Sequence, residues 1–64
     1  MKIMTFEIFD EVRLVKRTEI ENGFFLDERI KGLVIDETVP NYYLVRFENH
    51  GAYWVDGKHL NKIN

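Results

Sequence analysis

The chain has no cysteine and no serine, a single proline and only four glycines in 64 residues. Without cysteine there is no disulfide framework and no thiolate metal site. That suits a reducing compartment, and a cytoplasmic location is expected. Without serine or cysteine, the usual hydroxyl and thiol nucleophiles reduce to Thr5, Thr18 and Thr38, none with a histidine nearby in sequence. Gly23, Gly32, Gly51 and Gly57 are isolated and build no phosphate-binding loop. His50 and His59 lack the converging ligands a metal site needs, so no metal or cofactor is expected. The carboxylates Asp10, Glu11, Glu19, Glu21, Asp27, Glu28, Asp36 and Glu37 crowd segments that read as exposed, which does not suit acid–base work. The expectation is therefore a protein that is not an enzyme. No apolar stretch approaches the ~20 residues of a membrane span. The start, Met1 to Glu7, lacks the long apolar run and cleavage site of a signal peptide.

Charge of one sign is also missing. Nine basic residues face eleven acidic ones, for a net charge of −2. Nucleic-acid binders draw most of their affinity from neutralised phosphates and usually carry a basic excess. Lys16-Arg17 is the only adjacent basic pair, and Glu19 and Glu21 follow at once. Nucleic acid is thus the less expected partner. Arg13, Lys16, Arg17, Lys31 and Arg46 are the residues that would serve it.

What the chain does have is aromatic rings: five phenylalanines, three tyrosines and one tryptophan. Each can bury roughly 150–250 Å². That matters because a domain this small buries only about 60% of its unfolded surface. Nothing in the sequence resembles a linker or repeat, so residues 1–64 are read as one domain.

The periodicity is that of strands. Asp10 to Lys16 alternates polar and apolar residues, with Val12 and Leu14 on one face. Arg17 to Glu28 is less regular and reads as a long loop or splayed hairpin around the Asn22-Gly23 turn. Of Phe24, Phe25 and Leu26, at least one should fold over the core. Ile30 to Val39 is the next strand, where Gly32 implies a bend, a bulge or a close backbone approach. Pro40 belongs outside the strand, since it cannot donate a ladder hydrogen bond.

Asn41 to Glu48 and Ala52 to Val55 form a hairpin. A three-residue Asn49-His50-Gly51 loop closed by a bulge, with Gly51 left-handed, would place Glu48 opposite Ala52. Phe47 would then face Tyr53, Arg46 would face Trp54, and Val45 would face Val55. Alternation assigns Tyr43, Val45, Phe47, Tyr53 and Val55 to the core, and Tyr42, Leu44, Arg46, Trp54 and Asp56 to solvent. Asp56 to His59 reads as a tight turn, one turn of 3₁₀ helix. Leu60 anchors it, and Lys62-Ile63 can form a short closing strand.

The segments Asp10-x-Val12-x-Leu14, Lys31-Gly32-x-Val34, Tyr43 to Phe47, and Trp54-Val55 with Leu60 resemble an SH3-like barrel of the KOW and Tudor branch. The resemblance spans residues 8 to 63 and implies an all-β, five-stranded barrel with a 3₁₀ turn before its last strand. Phe9 stands where a glycine before the aspartate is common in the KOW pattern. Plasmid-borne type II dihydrofolate reductase shares this architecture. Tyr53-Trp54-Val55-Asp56 here lacks the glutamine of that family's pore strand, so its activity is not expected.

In such a barrel an aromatic groove is the usual place for peptide recognition, because flat rings bury area at little entropic cost. The expected function is protein–protein interaction through Tyr42, Leu44, Arg46 and Trp54, joined by Phe24 or Phe25. Two alternatives compete for those rings. Arg46 could stack on Trp54. The segment Met1 to Ile8, with Ile3, Met4, Phe6 and Ile8, could cover the face or add a strand. Nucleic-acid binding and self-association are the other function classes. A stand-alone domain this short fits an accessory protein of phage or plasmid type.

Overall fold

Residues 5–63 are described by a computed structural model. The strands are β1 (Glu11–Leu14), β2 (Thr18–Glu21), β3 (Phe24–Leu26), β4 (Lys31–Thr38), β5 (Tyr42–Phe47), β6 (Gly51–Asp56) and β7 (Leu60–Lys62). One 3₁₀ turn, Gly57–His59, precedes β7. The main sheet is antiparallel with the order β6-β5-β4-β1-β7, and β2 and β3 form a sheet of their own. The described residues are thus all-β, with seven strands in two sheets rather than five strands in one closed barrel.

The two extra strands come from the segment read as a long loop or splayed hairpin, and the structure takes the hairpin, turning at Asn22-Gly23. Thr18-Glu19-Ile20-Glu21 alternates polar and apolar residues, which is strand periodicity. Gly23 takes φ 80° at the turn, and its N–H donates to Glu19 Oε2 at 2.8 Å. The register slips between Glu19 and Glu21, so Ile20 sits at a bulge and packs against the core. Of the three adjacent apolar residues, Leu26 is buried, Phe24 is half-buried and Phe25 is exposed. The neighbouring strands are shorter than expected. β1 stops at Leu14, which leaves Lys16 in solvent, and β4 runs from Lys31 to Thr38.

The core is made by the inward face of each strand. Val12 and Leu14 of β1, Val34 of β4, Val45 and Phe47 of β5 and Leu60 of β7 are almost wholly enclosed. Each such side chain stabilises the fold by about 1.5–3 kcal/mol through removal from water. Leu14 lies opposite Leu60, so β7 closes the sheet edge through apolar contact. Phe6 enters from the N-terminal side, its ring edge-on to Tyr43 at 5.3 Å between centroids. Thr5 to Ile8 form no strand. Met1 to Met4, the rest of the segment considered as a cover or extra strand, lie outside the described residues.

The β5–β6 hairpin corrects the expected pairing while keeping its parity. Phe47 lies opposite Gly51, Arg46 opposite Ala52, Val45 opposite Tyr53 and Leu44 opposite Trp54. The register is displaced by two residues, so every side chain stays on its expected face. The cause is the turn. The His50 N–H donates to the Phe47 carbonyl at 3.0 Å, and Asn49 takes φ 66°. Asparagine tolerates that conformation better than most residues. Gly51, also at positive φ, therefore opens β6 instead of ending the loop.

Phe9 occupies a glycine-like conformation, φ 77°, with 72% of its surface exposed. It is held there by its neighbours. The Phe9 N–H donates to the Val34 carbonyl, and the Val34 N–H donates to the Asp10 carbonyl. Left-handed backbone costs a non-glycine residue about 1–2 kcal/mol, against about 0.5–1 kcal/mol of extra chain entropy for glycine. Phe9→Gly should therefore leave stability unchanged or raise it by up to about 1 kcal/mol in a urea titration. A loss of more than about 2 kcal/mol would mean that the ring has a packing role its exposure does not suggest.

Candidate functional site

The outward residues of β1, β4, β5 and β6 form rows across the strands. At one end Arg13 lies opposite Lys31. The next row runs Glu11, Leu33, Arg46, Ala52. Then come Asp36, Leu44 and Trp54, and finally Thr38, Tyr42 and Asp56. Tyr42 and Trp54 are diagonal neighbours on this face, 42% and 46% exposed. Leu44 is half-buried beside them and Arg46 is exposed.

Tyr42 and Trp54 open onto a cleft of about 280 Å³. One wall is Val55, Asp56, Lys58 and His59 of β6 and the 3₁₀ turn. The other is Thr18, Glu19 and Ile20 of β2. The first wall is fixed by a cap: Asp56 Oδ1 accepts the Lys58 N–H at 3.0 Å, and the Leu60 N–H donates to the Gly57 carbonyl. A further backbone bond, from the Gly57 N–H to the Asn41 carbonyl at 2.8 Å, ties the turn to the start of β5. The cleft is therefore bordered by two half-exposed rings and by two carboxylates, Glu19 and Asp56. Among the described residues the ion pairs are Arg29–Asp27 and Lys62–Asp10, so neither cleft carboxylate is in one.

Of the expected site residues, Tyr42, Leu44, Arg46 and Trp54 share the outward face, and Phe24 and Phe25 do not. Tyr42 and Trp54 share the cleft. Arg46 lines a separate depression of about 290 Å³ with Glu11, Lys31, Leu33 and Glu48. It does not stack on Trp54, because the two-residue shift in register sets Arg46 against Ala52. Phe24 packs on Tyr53 at 5.4 Å and on His50 at 6.4 Å between ring centroids, and so supports the hairpin. Phe25 lies under Arg17, whose guanidinium carbon is 4.2 Å from the ring centre.

The cations considered for nucleic acid are divided as well. Arg13, Lys31 and Arg46 make a diagonal across β1, β4 and β5. Lys16 and Arg17 follow β1, and Arg17 is engaged with Phe25. Away from both hollows, the Arg29 guanidinium beside Asp27 holds that carboxyl below its ordinary range. His59 borders the cleft and His50 lies near Phe24. Among the described residues no three His, Cys, Asp or Glu side chains converge as metal ligands. Among the described residues, too, no helix is long and apolar enough to cross a membrane.

The β2 wall of the cleft belongs to the segment whose sequence allows a long loop or a splayed hairpin, and its place beside Tyr42 and Trp54 is not among the expectations. Its signal was the Thr18-Glu19-Ile20-Glu21 alternation, too short to stand out beside the irregular residues around it. No protein-family model, no curated protein and no solved structure matches the chain.

Proposed function

We propose that the chain is a non-enzymatic protein-binding module with an SH3-like arrangement of strands. The strand order supports the arrangement: a hairpin lies between the first and second strands of the main sheet, and a 3₁₀ turn precedes the last. The sheet is left open rather than closed. The observation that carries the binding reading is the pair of half-exposed rings, Tyr42 and Trp54, bordering a cleft with one braced wall. Aromatic side chains held by strands are rigid anchors, and tryptophan and tyrosine are prominent among interface hot spots. Leu44 and Arg46 border the rings and complete the contact. Phe24 and Phe25 are left out of it, since Tyr53 and Arg17 already engage them.

Nucleic acid is less well supported. The cation diagonal is interrupted by Glu11 and Glu48, and the chain is acidic overall.

The test is Trp54→Ala. A partner is first isolated with the intact protein as bait, identified by mass spectrometry and titrated against both forms. The substitution should weaken binding by about tenfold or more, as expected of an interface anchor. Unfolding should be nearly unchanged, because the ring is half in water. Equal affinity of the two forms would remove the aromatic face from the interface.

A further inference from the structure

The outer face is divided by charge along the strands. Arg13, Lys31 and Arg46 stand at one end, with Glu11 and Glu48 as the local carboxylates. Asp36 and Asp56 flank Leu44, Trp54 and Tyr42 at the other, with Glu19 across the cleft and Lys58 as the local cation. Arg13 and Lys31 are directly opposed like charges, an arrangement that destabilises an isolated sheet. Among the described residues neither has an ion-pair partner.

One end carries three cations against two carboxylates and the other three carboxylates against one cation, an imbalance of opposite sign that makes the face complementary to itself. A two-fold axis crossing the strands lays each end of one copy on the opposite end of another. We propose that a second copy of this chain occupies the face. The inference rests on the reading that this face binds protein, and it names the partner.

In that arrangement Arg46 falls over Leu44 of the second copy, beside its Asp36. Ala52 falls beneath its Trp54, a small residue meeting a large one. The same contacts repeat on the other side of the axis. Strands ~4.8 Å apart and outward residues ~6.8 Å apart give the twelve outward positions of the face roughly 400 Å² per copy. That is about half the ~800 Å² per partner of a standard stable complex. The dimer is therefore weak and reversible, and its charge pairing makes it sensitive to salt.

Sedimentation equilibrium from low-micromolar to millimolar protein tests this. The intact chain should move from one copy towards two, and high salt should reverse the shift. Arg46→Glu and Asp36→Lys should each weaken self-association by about tenfold or more, since each sets like charges together twice. An equimolar mixture of the two variants should restore it, because both cross-copy pairs then become opposite in charge. Both residues are exposed, and a circular dichroism melt confirms that each variant folds. Three results would overturn the proposal: a monomer at millimolar concentration, variants that dimerise as the intact chain does, or a mixture no better than its components. A monomer that still captures another protein through Trp54 would reject self-pairing alone and leave the protein-binding reading in place.

Discussion

Phe47→Ala should leave most of the protein unfolded in plain buffer at room temperature. Phe47 is the largest of the fully enclosed side chains, at 1% exposure. It ends β5 on the core side of the sheet, between Gly32 of β4 and Gly51 of β6. Neither glycine has a side chain with which to fill the space the ring would vacate. Truncating a buried phenylalanine to alanine costs about 3–5 kcal/mol, as lost transfer energy plus the remaining cavity. A core of this size rarely supplies more than about 3–5 kcal/mol of net stability. The cost therefore matches or exceeds the whole margin. Far- and near-ultraviolet circular dichroism should lose the native signal, and a urea titration should lack a folded baseline. Cooperative unfolding with a loss below about 2 kcal/mol would mean that neighbouring side chains collapse into the space. Trp54→Ala is the matched control, since that ring lies on the opposite face of the same hairpin and is half in water.

The same hairpin shows how far the sequence could be read. Its face assignment depends on parity alone, and an error of two residues in register leaves parity intact. Tyr43, Val45, Phe47 and Val55 are buried as the alternation requires. Contacts between individual side chains need the register itself. That depended on whether Asn49 or Gly51 would take the left-handed position at the end of the turn, and both have positive φ. A three-residue glycine-ended loop was a sound reading of Asn49-His50-Gly51, but it could not separate these two solutions. The alternative in which Arg46 stacks on Trp54 rested on the register of that loop, and the structure sets Arg46 opposite Ala52 instead. Gly32 and the 3₁₀ turn were legible because each rests on a strong local constraint, whereas the closing strand, expected at Lys62-Ile63, runs from Leu60 to Lys62. The β2–β3 hairpin was legible only as one of two alternatives, because its strands are four and three residues long. Periodicity is weak evidence over so few positions, and the Asn22-Gly23 turn is the clearer signal. The two rings of the cleft were readable from the long hairpin, and the position of β2 across from them was not.

Gly32→Ala should destabilise the fold although alanine is the better strand residue. Glycine's extra conformational entropy normally favours the substitution by about 0.5–1 kcal/mol. Here the added methyl would collide with Val45 Cγ1 and stand 3.2 Å from Phe47 Cδ1. Both neighbours are fully enclosed, so neither can turn aside without disturbing the rest of the core. Backbone hydrogen bonding holds the site from both sides, because Gly32 lies opposite Val12 on β1 and Phe47 on β5. Overpacking of this kind costs about 1–3 kcal/mol, which outweighs the entropic gain. The urea midpoint should fall while the slope stays the same, as expected when the stability of one folded state changes. Gly57→Ala offers a partial contrast. Its methyl would meet the Asn41 side chain at 2.8 Å and Tyr43 Cε2 at 2.9 Å. Asn41 is half-buried and can move, but Tyr43 is buried, so the contrast is confined to one of the two contacts and the loss should be of similar size. The decisive comparison adds Val45→Ala, which removes the colliding methyl. The double variant should be more stable than the sum of the single losses by roughly 0.5–3 kcal/mol, the range of coupling between touching residues. Strict additivity would show that the close approach of β4 to β5 is not what requires glycine at position 32.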